Sequence, residues 1–540
     1  MQRPLQIKQI LGDLPFTVEL YWYLHSQYKP WSAHFELEGL KSVLPDAVAD
    51  VEKAAHMAMR GKRVFLFASL HYWIEQAATI GLTLAGQGHQ VSFGYLPYAE
   101  WEKPITKFDL RRQNLYARKI LNMASSVMKI VSLLDVQPNG NEVPPEILKI
   151  VEEVSIFDTQ YTLQVEDVDK QHPLYQLRYD RNLQAALALH TWMMTHRPDV
   201  VIIPNGTIQE MGVAFRVAKL LEIRTVTFEF TDQSERIWLA QNAEIMSHDT
   251  SDLWVGLGDQ PLAPENREQL LQLFAARKNA KLWGNFARKW QQTPTQGAQK
   301  LRDALGLDDR PVILLATNVL GDSLTLGRQV FTESMADWIV GTLKFFLDRN
   351  DVQLIIRVHP GELLTHGTSM VDVIEGVAPI LPEHIHLIKP QDKTNTYDII
   401  ETVDLGLVFT TTVGLEMAMA GLPVVVAGKT HYKGHGFTHD PQNWDDYFNI
   451  LNAILSVPSR HRLDEAQVEL AWRYAYLFFF EFPLPFPWHI LHLREDFNAR
   501  PMAYVLSEEG QKGYGQTFGY LVGEKLDWAE RGLRSLGDQG

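Results

Sequence analysis

The segment Arg357-Val358-His359-Pro360-Gly361-Glu362 holds the residue types that work on a phosphate requires, and it follows an apolar run that reads as a buried strand. A histidine in the turn after such a strand can donate to a phosphate oxygen. Pro360 behind it stiffens the turn, and Arg357 adds a fixed positive charge. In an open α/β sheet, ligands bind beyond the carboxyl ends of the strands, where these residues fall. For a lone His-Pro pair the plainer reading is a histidine satisfying a strand-end carbonyl, but a second segment weighs against it. Thr410-Thr411-Thr412-Val413-Gly414-Leu415-Glu416 also lies between a strand and a helix. Hydroxyls and amides at a helix start favour an anion there. Gly414 would let backbone approach a ligand, and Glu416 can either accept from ribose hydroxyls or simply cap the helix.

A third segment, Gly428 to Thr438, follows the next strand and offers Lys429 and His431 to a phosphate or a sugar carboxylate. Its Gly-Lys-Thr triplet is no P-loop, because Pro423 stands where that loop needs its first glycine. The first half of the chain is less informative. His71 and Glu75 open the helix after the first strand; Asn205, Gly206 and Glu210 mark a second strand end, and Glu229 and Asp232 a third. Group transfer to a hydroxyl needs a base, and His71 and Glu210 are the candidates chosen. Asp167-Val168-Asp169 looks like a metal-binding pair, but so short a pattern arises readily by chance, and no metal is expected. There is neither a Gly-x-Ser-x-Gly elbow nor a His-Glu-x-x-His helix.

Two βαβ patterns must position the early residues. Lys62–Ala68, a helix from about Ile74 to Ala85 and Gln90–Tyr95 form one; Val200–Pro204, a helix near Glu210–Leu221 and Thr225–Phe230 form the other. Residues 100–195 between them read as mainly helical. Later strands are expected at Val312–Ala316, Gln353–Val358, His386–Ile388, Leu405–Phe409 and Pro423–Ala427, with helices at Glu333–Leu347 and Gly414–Ala420. Alternating β and α at this spacing predicts parallel sheets with helices on both faces. The expected organisation is a helical extension over 1–60 broken near Pro15, Pro30 and Pro45, a Rossmann-like domain over 61–258, a polar connection over 259–305, a second Rossmann-like domain over 306–457, and an aromatic and helical segment over 458–540 packing back on the core. Between Trp472 and Trp488 that last segment is crowded with Phe, Tyr and Trp, which fits core packing or, less simply, contact with a membrane surface.

A chain of 540 residues exceeds one ordinary core, which suits two α/β domains. Fifty Lys and Arg against 65 Asp and Glu give a net charge of −15, so non-specific nucleic-acid binding is not expected. The absence of cysteine excludes disulfides, thiolate metal sites and a thiol nucleophile. Residues 1–28 lack the basic start and apolar core of a signal peptide, and no apolar run nears the roughly 20 residues that span a bilayer. A cytoplasmic location is expected, with peripheral contact on the inner face of the membrane left open.

Thr317-Asn318-Val319, the Arg-x-His-Pro-x-Glu run at 357–362, the Thr-Thr-Val-Gly-Leu-Glu run at 411–416, Pro423-Val424-Val425, Gly428 and the loop Tyr432 to Thr438 together resemble the capsular polysaccharide biosynthesis proteins, which include Kdo transferases using CMP-activated sugar. The likeness is best over about 310–440; the family's loop commonly has Leu where Phe437 stands here. The resemblance implies a GT-B-like α/β fold, two doubly wound Rossmann-type domains facing a central cleft, and transfer of a sugar from a CMP- or UDP-linked donor to a glycan acceptor without an obligatory cofactor. By the same resemblance His359 and Pro360 hold the nucleotide phosphate and Glu416 the ribose, with Asn318, Glu362, Thr411, Thr412, Gly414, Lys429 and Tyr432 in the donor site. A nucleotide-sugar epimerase, a polyol-phosphate transferase and a non-catalytic binding protein remain open as alternatives.

Overall fold

The computed structural model describes residues 2–25, 35–138, 142–286, 289, 291–365 and 367–529. The break expected near Pro30 and the loop mark at Asn139-Gly140 lie outside them. The chain divides into two compact units: residues 1–158, 169–246 and 483–526 form the first, and 159–168, 247–482 and 527–540 the second.

In the first unit, β1 (Arg63–Ser69), β2 (Gln90–Leu96), β3 (Lys129–Ser132), β4 (Val200–Pro204), β5 (Arg224–Phe230) and β6 (Arg236–Gln241) lie in the order 6-5-4-1-2-3. All neighbours are parallel except β5 and β6, and the two-residue strand Leu484–Pro485 pairs antiparallel with β6. This is a doubly wound sheet whose order reverses between β1 and β4, the point where such folds open a crevice for ligand. β1 and β4 read as unbroken apolar runs because helices cover both faces. β3 was not expected: Lys-Ile-Val-Ser is four residues long at a sheet edge and has little apolar signal. β6 was missed too, because Arg-Ile-Trp-Leu-Ala-Gln lacks clean alternation.

Pro45 does not break the extension. Helix Glu38–Ala55 runs through it, burying Leu40, Val43, Leu44, Ala47, Val48 and Val51. A stripe with that spacing packs on the core strongly enough to offset the lost backbone bond.

The second unit holds β7 (Val312–Ala316), β8 (Gln353–Arg357), β9 (Ile385–Ile388), β10 (Leu405–Val408) and β11 (Val424–Val426), all parallel in the order 11-10-7-8-9. Its order reverses at β7, so β8 and β10 flank that strand. Leu354, Ile356, Ile313, Leu315, Leu405 and Leu407 pack against Trp338, Ile339, Leu343 and Phe346 of helix Met335–Leu347. Ser334 caps that helix, its hydroxyl accepting from Asp337 N. The helix also carries an unexpected cap from far away in sequence: both Glu166 carboxylate oxygens accept from its first amides, at Met335 (2.7 Å) and Ala336 (2.8 Å).

The two doubly wound α/β sheets expected from the sequence are therefore present, one in each unit. Most of the aromatic run packs inward: Tyr474, Phe478, Phe479, Phe482, Phe486 and Trp488 are buried, and Trp472, Tyr476 and Phe480 are half-buried. Phe478 stacks on the His431 ring at 3.9 Å, and the Tyr474 hydroxyl reaches Thr250 (2.6 Å) and the His431 carbonyl (2.8 Å). No helix among the described residues is long and apolar enough to cross a membrane.

Candidate functional site

At the carboxyl rim of the second sheet, the turn after β7 joins its two neighbours. The Thr317 hydroxyl accepts from His359 N (3.1 Å) after β8, and Asn318 Oδ1 accepts from Thr410 N (3.2 Å) after β10. Two strand spacings separate the outer turns, about 10 Å. His359 and the Thr411 turn thus share one rim at the strand where the sheet reverses. Both segments were expected beyond strand ends of one sheet, although 52 residues part them in the chain.

His359 is exposed, and its ring is oriented by its own turn. Pro360 starts a tight 3₁₀ turn, Pro360–Leu364, and Gly361 N donates to His359 Nδ1 (3.0 Å). A nitrogen that accepts from an amide carries no proton, so the neutral ring bears its proton on Nε2 and presents it as a donor. Arg357 is nearly buried. Its guanidinium turns sideways, donating to the carbonyls of Lys389 (2.7 Å) and Thr394 (3.5 Å) in the loop after β9. Burial lowers its pKa to about 10, which leaves it charged at neutral pH. Arg357 therefore holds the rim's shape and adds positive potential behind His359.

Glu362 does not reach toward the rim. It accepts from the Ser369 hydroxyl (2.6 Å) and from Met370 N (3.2 Å), closing the loop onto helix Met370–Val377, and burial raises its pKa. Glu416 is likewise occupied. Its Oε1 accepts from Arg277 Nη1 at 3.0 Å, the Tyr397 hydroxyl also reaches it, and burial raises its pKa against both partners. The carboxylate that the sequence offered to a ribose is spent inside the protein, on an arginine from helix Pro264–Lys278. Arg277 lay in a stretch read as mere connection; nothing local marks a partner 139 residues away.

Gly414 has a different purpose from the expected one. A Cβ there would meet the Tyr432 hydroxyl at 2.3 Å, so buried Tyr432, rather than a ligand, fills the space. Tyr432 donates to the Thr411 carbonyl at 2.6 Å and fixes the turn. Helix Val413–Met419 has only seven residues and therefore a modest dipole. The half-buried Thr411 and Thr412 and exposed Lys429 also lie at the rim, and the Lys429 amide donates to Arg328 O (2.7 Å).

In the first unit, Glu210 sits in a fully buried cluster. Its carboxylate accepts from Arg178 Nη2 (2.8 Å) and from the Ser69 hydroxyl (2.9 Å), while Arg178 Nε donates to Asp158 (2.9 Å). Burial alone would raise the Glu210 pKa, but Arg178 and Arg181 outweigh it and hold the carboxyl below its ordinary value. Such a group stays an anion and is a poor proton acceptor. Around this cluster Leu70, Asn205 and Gln209 adopt φ of +66°, +57° and +59°, the left-handed region that non-glycine residues avoid. Strain of about 1–3 kcal/mol each, placed at the reversal between β1 and β4, is typical of ligand-binding rims. His71 is half-buried; burial lowers its pKa, and its Nδ1 has no hydrogen-bond partner among the described residues.

Glu229, at the end of β5, is nearly buried and accepts from Asn205 Nδ2 (3.0 Å). Burial pushes its pKa up to about 7. Between the ordinary carboxylate value and 7 the folded protein holds a proton that the unfolded chain releases, so stability falls as pH rises through that window. Glu229→Gln is expected to raise the melting temperature of the first unit at pH 8 but hardly at pH 5, a gain of about 3 kcal/mol at most. Melts across that range check this; Glu75, also pushed up to about 7 by burial, leaves a residual slope.

Residues 272–449 match the sequence profile of the family described as capsule polysaccharide biosynthesis protein. No curated protein matches the chain. Among solved structures, a Thermosulfurimonas dismutans KpsC, beta Kdo 2,4 transferase, is 16% identical over 51% of this chain and 78% of its own, with a TM-score of 0.34. The UDP-GlcNAc 2-epimerase from Neisseria meningitidis bound to UDP-GlcNAc is 12% identical over 78% and 99%, TM-score 0.25. A family 9 glycosyl transferase from Veillonella parvula is 9% identical over 77% and 96%, TM-score 0.21. Likenesses this distant carry no argument about chemistry.

Proposed function

We propose, from the match of residues 272–449 to the capsule polysaccharide biosynthesis profile, that the chain is a glycosyltransferase of surface-polysaccharide assembly, moving a sugar from a nucleotide donor to a glycan acceptor. A CMP-linked donor such as CMP-Kdo is favoured. The observation that carries the reading is the lashing of the His359 and Thr410–Thr412 turns to the turn after β7 at the reversal of the second sheet. His359 donates through Nε2 to the departing phosphate, and the Thr411 and Thr412 hydroxyls and Lys429 share its charge. Arg357 stiffens the rim and contributes potential. Stabilising charge as it builds on the leaving group is electrostatic catalysis by groups already in place. Glu362, Glu416, Gly414 and Tyr432 hold the rim in shape and do not touch the donor.

Acceptor binding falls to the first unit, with His71 and Glu229 as the groups able to accept a proton and Glu210 kept as a structural anion. The test is nucleotide release from CMP-, UDP- and CDP-linked sugars, with and without a capsular oligosaccharide. Acceptor-dependent release from one donor supports the reading. Isomerisation of the donor without release makes the chain an epimerase, and binding without turnover makes it a carrier.

A further inference from the structure

The first unit contains a cavity of about 240 Å³ to which the proposed function assigns no role. It lies beyond the carboxyl end of β2, between the segment 98–106 and the helices Gln2–Asp13 and Lys107–Leu121, and Lys8, Tyr98, Thr106, Asp109, Gln113 and Arg181 line it. Its walls are preformed. Arg181, only 5% exposed, donates to the carbonyls of Glu100 (2.9 Å), Trp101 (3.2 Å) and Lys103 (2.6 Å), and its guanidinium lies over the Tyr98 ring at 4.3 Å. Arg178, one helical turn earlier, donates to the same Trp101 carbonyl at 3.2 Å. Two buried arginines therefore pin a loop that water would otherwise leave mobile, and a pinned loop loses less entropy on binding.

The lysines lining the cavity are already paired with carboxylates, and Arg181 gives its donors to the loop carbonyls. Lys8 holds both Asp109 oxygens (3.2 and 3.0 Å), Lys103 holds Glu100 (3.0 Å), and the Thr106 hydroxyl donates to Asp109 (2.8 Å). A diphosphate would have to displace a carboxylate or a backbone carbonyl from every cation here. Hydroxyl groups, each donor and acceptor at once, match fixed ammonium, carboxylate and hydroxyl neighbours well. The volume falls below the roughly 300–1,000 Å³ of sites for drug-sized ligands, which suits one sugar ring and not a nucleotide sugar.

We propose that this cavity binds a single uncharged pyranose ring of a glycan. As the site of an acceptor residue it rests on the proposed function; as a saccharide site it does not. Saturation-transfer NMR with methyl pyranosides of glucose, galactose and N-acetylglucosamine, and with disaccharides ending in them, tests it, alongside thermal shifts with CMP and UDP on the same samples. At least one pyranoside should bind the wild-type chain, a disaccharide more tightly than its free monosaccharide if the source is a glycan. Ala99→Trp, which fills the cavity, and Gln113→Leu should each weaken that binding at least tenfold while leaving nucleotide shifts unchanged. If Gln113→Leu fails to fold, Ala99→Trp decides. No saccharide bound, or binding unaltered by the filled cavity, overturns the proposal. Saccharide binding lost in the variants without any nucleotide shift in wild type sinks the transferase and keeps the pocket.

Discussion

His359→Ala is expected to lower turnover about 10²–10³-fold while the melting temperature stays within a degree or two of wild type. The magnitude is that of removing one preorganised donor from a site of developing negative charge. The intact fold follows from the position: His359 is exposed, and the turn keeps Pro360 and the bond from His359 N to Thr317. His359→Gln should restore part of the rate, because an amide can donate where Nε2 did. Steady-state nucleotide release and calorimetry on the same preparations check both halves. Wild-type turnover in the alanine variant would remove His359 from the mechanism.

Glu210→Ala is expected to do the opposite, abolishing activity by unfolding the first unit. Deleting this carboxylate leaves Arg178, wholly buried, with Asp158 as its remaining ion-pair partner and strips the Ser69 hydroxyl of its acceptor. Breaking a buried pair costs about 3–5 kcal/mol, here because Arg178 and Arg181 would be left with one buried carboxylate, Asp158, between them in a low dielectric. Glu210→Gln, which keeps the shape but loses the charge, should fall between. Two transitions are expected on heating, with only the one belonging to the first unit moved. A Glu210→Ala protein with an unshifted melt and lost turnover would instead make Glu210 a catalytic group.

These opposite expectations reflect how unevenly the sequence marks the candidate site. His359 stood out because histidine before proline, after an apolar strand, is a local pattern, and the local turn also sets its tautomer. Glu210 looked equivalent, a carboxylate just past a strand end, yet Arg178 approaches it from a helix 32 residues away. Glu416 misled in the same way: its place in the first helical turn is readable, but Arg277 is not. Acidic residues near strand ends are ambiguous in principle, since a carboxylate bound by an internal arginine and one offered to a ligand have the same sequence.

The fold followed the same division. Strands buried on both faces announce themselves as apolar runs, and β1, β4, β7, β8 and β10 were all expected; the edge strand β3 and the antiparallel β6 were not, because an edge needs little apolar surface. Pro45 was overread as a breaker, a local rule overridden by six buried contacts along one helix face.

By itself the sequence determined the two parallel-sheet units, the rim on which His359 and the threonine turn sit, and the exclusion of thiol chemistry and of a basic footprint. All of these depend on residue type and short spacing. Tertiary structure alone decided which charges are consumed internally, why Gly414 must lack a side chain, and that a pinned loop encloses a cavity beyond β2. Those outcomes turn on pairs of residues far apart in the chain. In a low dielectric the partner, not the residue, sets whether a charge is held fast or left to act.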